Sequence, residues 1–191
     1  MTDYFALLEQ PRAPWLDAAA LKEIYHRKTL QSHPDTGTPD QADDFAQLNE
    51  AYQVLQDPKR RLHHLLTLEN CAPPSGHQAV PQELQDLFLL LGGLSQRANR
   101  VLEQSRTTSN ALARSLLQPQ IVEIQKEVNE LRAKVTELLE AETERLRELS
   151  SAPVDDRGAF LATLTNLYFN FAYLGRWSSQ LDELAFQLSP L

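Results

Sequence analysis

The sequence predicts an all-α fold, and three features of the 191-residue chain support this prediction. Apolar residues recur every three or four positions over long stretches, which is the spacing of one helix face. No stretch shows the sustained alternation of apolar and polar residues that a half-buried strand requires. Most of the 11 prolines lie between the helical stretches, as expected of a residue that disfavours helix interiors. We therefore expect helices and no sheet.

The N-terminal region contains two helices that can pack against each other. The first covers about 17–32 and begins at Asp17, which can cap it. Its apolar face comprises Leu21, Ile24 and Tyr25. The second covers about 40–56, and its apolar face comprises Phe45, Leu48, Ala51, Tyr52 and Leu55. Between them Pro34 disfavours helical geometry at the preceding residue, so we expect a helical hairpin with an exposed loop at its tip.

A linker and a three-helix bundle are predicted after the hairpin. Adjacent prolines followed by Ser and Gly disfavour a helix over 71–80, so a linker separates a first domain at 1–70 from a second at 81–191. The second domain has helical stretches at about 81–103, 109–149 and 155–188, with a bend near Pro119. The middle stretch has a coiled-coil-like a/d seam, formed by Ile121, Ile124, Val128, Leu131, Val135 and Leu138.

Composition narrows the range of functions. The net charge of -8 argues against a nucleic-acid partner, because phosphate contacts need Lys and Arg gathered on one surface. The single cysteine, Cys71, can form no internal disulfide and offers no zinc-binding pair, which favours a reducing compartment. The longest apolar run, 87–91, is too short to cross a membrane, and the N-terminus has no signal-peptide pattern. We expect a cytoplasmic protein.

The sequence lacks the motifs of catalysis and metal binding. It has no Gly-rich phosphate loop, no Ser or Cys nucleophile beside a base and no recognisable pair of catalytic carboxylates. Side chains of the adjacent His63 and His64 would point about 100° apart on a helix, and neither these residues nor His77 have a partner that completes a metal site. We therefore expect a protein that is not an enzyme and that needs no metal and no cofactor.

Four blocks of the N-terminal sequence resemble a J-domain. They are DYFALL at 3–8, Tyr25 placed eight residues before the tripeptide His33-Pro34-Asp35, NEAYQVL at 49–55 and DPKRR at 57–61. The tripeptide alone is a weak signal, whereas four blocks in the right order are specific.

The resemblance implies binding to a DnaK/HscA-type chaperone, whose ATP hydrolysis a J-domain triggers. The residues that it implies are His33, Pro34 and Asp35 of the loop and Lys22, His26, Arg27 and Lys28 of the helix before it. Asp35 would accept a charge-assisted hydrogen bond from an arginine of the chaperone. Lys28 falls on the apolar side of its helix, so its ammonium group would have to extend to the edge.

The whole chain resembles the HscB family, the J-proteins of iron-sulfur cluster assembly, in its length, in a block at 61–68 and in blocks near its end at 166–168, 173–177 and 181–184. This resemblance implies that the C-terminal bundle binds an iron-sulfur scaffold protein as its client. The family's client face combines residues of the first bundle helix with an aromatic residue of the last. The corresponding residues here are Leu87, Leu90, Leu91, Leu94 and Tyr173.

The apolar run over 87–91 also has a physical interpretation of its own. Five consecutive apolar residues surround more than one helix face, so a single neighbour cannot bury them all. The remainder would either form a partner surface or lie beneath the first domain. On the last helix, Phe169, Tyr173 and Trp177 are expected beside the core face. That face comprises Leu164, Leu167, Tyr168, Phe171, Leu174, Leu181 and Leu188.

Our leading hypothesis is a monomeric co-chaperone that presents an iron-sulfur scaffold to a DnaK/HscA-type ATPase. Two alternatives stay open. In the first, the J-domain serves a different client. In the second, the tripeptide is only a helix stop, and the a/d seam of the long helix mediates self-association in a structural protein.

Overall fold

The computed structural model describes residues 2–31, 39–74 and 79–189, with the backbone alone at 31, 39–43, 111 and 114. Over these ranges the protein contains α-helices, a short 3₁₀ helix at Gln82–Leu84 and no strand, which confirms the all-α prediction. The α-helices are α1 (Tyr4–Leu7), α2 (Ala18–Gln31), α3 (Pro39–Gln56), α4 (Pro58–Leu68), α5 (Gln85–Thr107), α6 (Ala111–Ser151) and α7 (Arg157–Leu188).

The chain divides into two compact units. Unit 1 comprises Met1–Gly76 and Glu142–Phe169, and unit 2 comprises His77–Ala141 and Asn170–Leu191. Helices α6 and α7 therefore each contribute residues to both units. This division differs from domain boundaries at 1–70, 71–80 and 81–191, because residues of both long helices are grouped with the N-terminal helices.

Helices α2 and α3 pack against each other as the predicted hairpin. Asp17 caps α2, since its carboxylate accepts a hydrogen bond from the backbone N–H of Ala20 at 2.8 Å. The rings of Tyr25 and Tyr52 stack with their centroids 4.2 Å apart, and the Tyr25 hydroxyl donates to the side chain of Asn49. Leu21 of α2 is also buried, so the apolar faces that the sequence indicated do meet.

A histidine on α4 anchors the N-terminal helix. The backbone N–H of Tyr4 donates to Nε2 of His64 at 3.1 Å, and the two rings stack at a centroid separation of 4.5 Å. Because Nε2 accepts this hydrogen bond, His64 must be neutral there. Burial lowers the pKa of His64 below its ordinary value of 6.5, which favours the same neutral form.

Arg61 is a charged residue inside unit 1, with only 4% of its surface exposed. Its Nε donates to the carbonyl of Pro14 at 2.8 Å, and its Nη1 donates to the carbonyl of Leu55 at 2.6 Å. Burial lowers the pKa of Arg61 to about 10, so the guanidinium stays protonated at neutral pH. The side chain thus joins α4 to the segment before α2 and to the end of α3.

The junction of α6 and α7 belongs to unit 1 through contacts with the N-terminal residues. The backbone N–H of Trp15 donates to Oγ of Ser150 at 2.9 Å, and the guanidinium of Arg147 lies 5.2 Å from the centroid of the Trp15 ring. Arg157 also forms an ion pair with Glu69. The sequence separation of these pairs explains why sequence patterns alone did not group 142–169 with the first domain.

Unit 2 has an apolar core built from α5, α6 and α7. The a/d seam of α6 faces this core, with Ile121, Ile124, Val128 and Val135 buried and Leu131 and Leu138 partly buried. Trp177 was expected beside the core face of the last helix, and this expectation is wrong. The side chain is 3% exposed and lies within the core. The seam is therefore occupied by intramolecular packing.

We expect Arg61→Met to lower the free energy of unfolding by about 2–4 kcal/mol, because it removes the donors of two buried carbonyls. The neighbouring Arg60→Met is the matched control. Arg60 is 43% exposed in its side chain and pairs with Glu50 on the surface, so its loss should cost less than about 1 kcal/mol. Urea denaturation followed by circular dichroism measures both variants. Equal effects of the two substitutions would contradict the structural role of Arg61.

The His64 anchor predicts a specific pH dependence of stability. The pKa of His64 is lower in the folded protein than in the unfolded chain, so the unfolded state binds the proton first. Its contribution is fully present above the unfolded value of about 6.5 and is lost as pH falls below it. His64→Gln keeps an acceptor for the Tyr4 N–H but cannot titrate. We expect the unfolding free energy of this variant to fall less between about pH 7.5 and 5 than that of the parent protein. Parallel curves would argue against the anchor.

Candidate functional site

Helix α2 carries the basic residues that the J-domain resemblance singled out. Lys22 and His26 are exposed and lie four residues apart, so they share one face of the helix. The Arg27 side chain is 56% exposed, whereas that of Lys28 is only 24% exposed. The stem of Lys28 therefore lies partly buried while its ammonium group reaches the edge of the helix, as the sequence predicted.

Glu9 contacts two of these four cations. Its Oε2 lies 2.6 Å from Nη2 of Arg27, and its Oε1 lies 2.8 Å from Nζ of Lys28. The hydrogen bond from Lys28, its charge and the guanidinium of Arg27 hold the pKa of Glu9 below its ordinary value. Sequence reasoning missed Glu9, because no spacing rule connects a residue after α1 with the middle of α2.

The tripeptide His33-Pro34-Asp35 lies outside the described residues. Helix α2 ends at Gln31 and α3 begins at Pro39, so the described chain contains both flanking helices. The role of the tripeptide stays a prediction from the sequence.

On α5, the structure separates the predicted client-binding residues into two groups. Leu87, Leu91 and Leu94 are 4%, 3% and 1% exposed and belong to the core of unit 2, which corrects the prediction that they contact a client. The reason is helical geometry, since residues spaced by three and four positions share the face that packs inward. Leu90 is 55% exposed, and its contact with a client stays a prediction.

Three consecutive apolar side chains remain exposed on α5. Phe88, Leu89 and Leu90 are 48%, 69% and 55% exposed, and we call these three residues the α5 patch. A large apolar side chain that stays in water contributes little to folding stability, because that contribution comes from the area removed from water. A contiguous group of such positions is typical of a surface that a partner covers.

Tyr173, the fifth predicted client-binding residue, is partly buried against the core of unit 2. Its ring centroid lies 5.6 Å from that of Trp177, and the Phe88 ring lies 6.3 Å from the same tryptophan. The guanidinium of Arg176 lies over the Tyr173 ring at 5.7 Å. The buried Trp177 thus has an α5 patch residue and Tyr173 as neighbours.

Comparisons with known proteins identify the family. The model of the DnaJ domain matches residues 3–64. A co-chaperone protein HscB homolog from a Shewanella species is 30% identical over 147 residues, which are 73% of this chain and 78% of that protein. The chain belongs to the HscB family of J-domain co-chaperones. It is a co-chaperone of the HscB type, and this family does not consist of enzymes.

Further relatives match in part or in fold. The chaperone protein DnaJ of Synechococcus elongatus is 42% identical over 64 residues, and this chain covers only 22% of its length. Chaperone HscB from Vibrio cholerae has a similar structure, with a TM-score of 0.56 at 18% identity over 98% of this chain and 99% of that one. Human co-chaperone protein HscB gives a TM-score of 0.54 at 18% identity over 100% of this chain and 84% of the human one. These structural matches confirm the HscB fold.

Two further observations concern the described residues alone. Within them, no helix combines the length and the apolar character that a membrane crossing requires. The same part of the chain contains no group of three or more His, Cys, Asp or Glu side chains placed to hold a metal ion.

Proposed function

We propose that this HscB-type co-chaperone binds a DnaK/HscA-type chaperone through its J-domain and stimulates ATP hydrolysis by that chaperone. The proposal rests on the α2–α3 hairpin together with the family assignment. In it, His33 and Pro34 shape the loop, and Asp35 accepts a charge-assisted hydrogen bond from an arginine of the chaperone. The cations of α2 contact an acidic surface beside that arginine.

The exposed charges of α2 are better suited to guide the approach of the chaperone than to hold the bound complex together. Lys22 and His26 are exposed, and exposed charges chiefly raise the association rate and fix the orientation of docking. Asp35 would instead stay hydrogen-bonded in the bound state, where truncating one partner of a charged pair is costly. The two groups should therefore respond differently to substitution and to salt.

We expect Asp35→Asn to reduce the stimulation of the chaperone's ATPase rate by about tenfold or more, because the charge-assisted contact is lost. Lys22→Ala should raise the concentration of this protein that gives half-maximal ATPase stimulation only a few-fold. The difference between this variant and the parent protein should shrink at high salt. Lys126→Ala is the matched control. Lys126 is likewise an exposed lysine on a helix, with 77% of its side chain exposed, but it lies in unit 2. Steady-state ATPase assays with DnaK-type chaperones of the same organism give these values. Full stimulation by Asp35→Asn would refute the assigned role.

The α5 patch supports a second part of the proposal, that unit 2 binds a client and that this client is an iron-sulfur scaffold protein. Phe88, Leu89 and Leu90 are exposed although their neighbours Leu87 and Leu91 are buried. An amphipathic or extended client segment could bury these side chains, and each buried leucine would contribute roughly 1–2 kcal/mol to binding. Tyr173 would lie at the margin of this contact.

Other assignments are less well supported. The a/d seam of α6 packs inside unit 2, so we do not favour self-association through that seam. The binding experiment below distinguishes an iron-sulfur scaffold from a different client. A monomeric state and a cytoplasmic location remain predictions from the sequence.

We expect the double variant Leu89→Ala/Leu90→Ala to weaken binding of the iron-sulfur scaffold protein about tenfold or more, because two apolar contacts are lost. Leu116→Ala is the control, since Leu116 is 70% exposed on α6 in the same unit. Isothermal titration calorimetry with the scaffold protein of the same organism measures the affinities. Tight binding by the double variant would place the client elsewhere, and no binding by the parent protein would indicate a different client.

A further inference from the structure

We propose that Glu9 competes with acidic groups of the chaperone for two cations of α2. It thereby restricts docking to partners with a strongly acidic surface. This inference rests on the proposed chaperone binding and adds a residue that sets its affinity and selectivity. Arg27 and Lys28 are the two cations, and each forms an ion pair with a separate oxygen of the Glu9 carboxylate.

Glu9 has a backbone conformation that favours glycine, so the turn itself does not require the Glu9 side chain. Glu9 has φ 52°, in the left-handed region that glycine adopts without steric cost. It follows the C-cap residue Leu8 of α1. The N–H of Glu9 donates to Ala6 at 3.2 Å and that of Gln10 donates to Phe5 at 2.8 Å, which is the Schellman pattern that usually has glycine at this position.

A glutamate in this conformation is strained, and its side chain makes contacts that a glycine could not make. Those contacts are both with α2, at Arg27 and Lys28. The side chains of Glu9 and Arg27 are 54% and 56% exposed, whereas that of Lys28 is 24% exposed, so a partner can reach the carboxylate chiefly from the Arg27 side. A contact of this kind is too weak to lock α2 but strong enough to compete with an incoming anion.

The competition has a simple electrostatic consequence. Lys22, His26, Arg27 and Lys28 would offer the chaperone a basic surface, and Glu9 neutralises part of it, in addition to the acidic residues Asp17 and Glu23 of the same segment. A partner carboxylate must either displace Glu9 or dock beside a carboxylate of the same charge. Only a partner with several acidic groups at this surface gains enough from docking to do so.

The test compares Glu9→Gln with a control that removes an equivalent charge elsewhere in unit 1. Glu50→Gln serves as that control, because Glu50 forms an exposed ion pair with Arg60 at 2.8 Å on other helices. The readout is the concentration of this protein that gives half-maximal ATPase stimulation of the responding DnaK-type chaperone. Glu9→Gln should lower that concentration about three- to tenfold, and Glu50→Gln should leave it unchanged.

A double-mutant cycle separates competition from a structural effect. In the Arg27→Gln/Lys28→Gln background, Glu9→Gln should produce no further change, since the carboxylate no longer has cations to occupy. Glu9→Gly fits the backbone without strain and provides a second variant should Glu9→Gln fold poorly. Thermal unfolding followed by circular dichroism verifies that each variant is folded.

The outcomes are distinct. Tighter docking by Glu9→Gln that disappears in the double background supports the competitor role. Unchanged or weaker docking by both folded Glu9 variants, with the parent protein active, overturns this inference and leaves the proposed function intact. Absence of stimulation by the parent protein and by every variant overturns the proposed function and this inference with it.

Discussion

A buried guanidinium holds together the segments from which the hairpin of unit 1 extends. Arg61 donates to the carbonyls of Pro14 and Leu55, which lie just before α2 and at the end of α3. An ionised group inside a protein is tolerated only when hydrogen bonds replace its water, and these carbonyls provide two of them. The segment before α2 and the end of α3 are thereby joined to α4, and the stacked rings of Tyr25 and Tyr52 join α2 to α3.

A residue outside α2 also contacts the cations of that helix. His64 on α4 holds α1 through the backbone of Tyr4, and the turn that ends α1 brings Glu9 to Arg27 and Lys28. The short helix whose C-terminal turn carries Glu9 is thus held by a neutral histidine on α4. Glu9 pairs with two of the four cations of α2, and our proposal is that this pairing sets how selectively α2 docks.

Local patterns determined which parts of this structure could be predicted. Helix α2 was expected over about 17–32 and spans Ala18–Gln31, because Asp17 and Pro34 mark its ends in the sequence. The inward faces of α6 and α7 followed from periodicity in the same way. The ion pairs of Glu9 and the grouping of 142–169 with unit 1 could not be predicted, since each depends on contacts between distant segments. The burial of Trp177 was missed although its spacing from Leu174 and Leu181 is that of one helix face. For the run 87–91, the five consecutive apolar residues indicated only that one neighbour cannot bury them all, and the packing of α5 decided which stay exposed.

We propose that this one chain couples a client to the ATPase of a DnaK/HscA-type chaperone. The most direct measurement is single-turnover ATP hydrolysis by that chaperone with the parent protein alone, with the iron-sulfur scaffold alone and with both together. We expect the rate with both to exceed the sum of the separate stimulations, because unit 2 would deliver the client while the J-domain triggers hydrolysis. A rate with both that equals the separate contributions, or no stimulation by the protein at all, would contradict it.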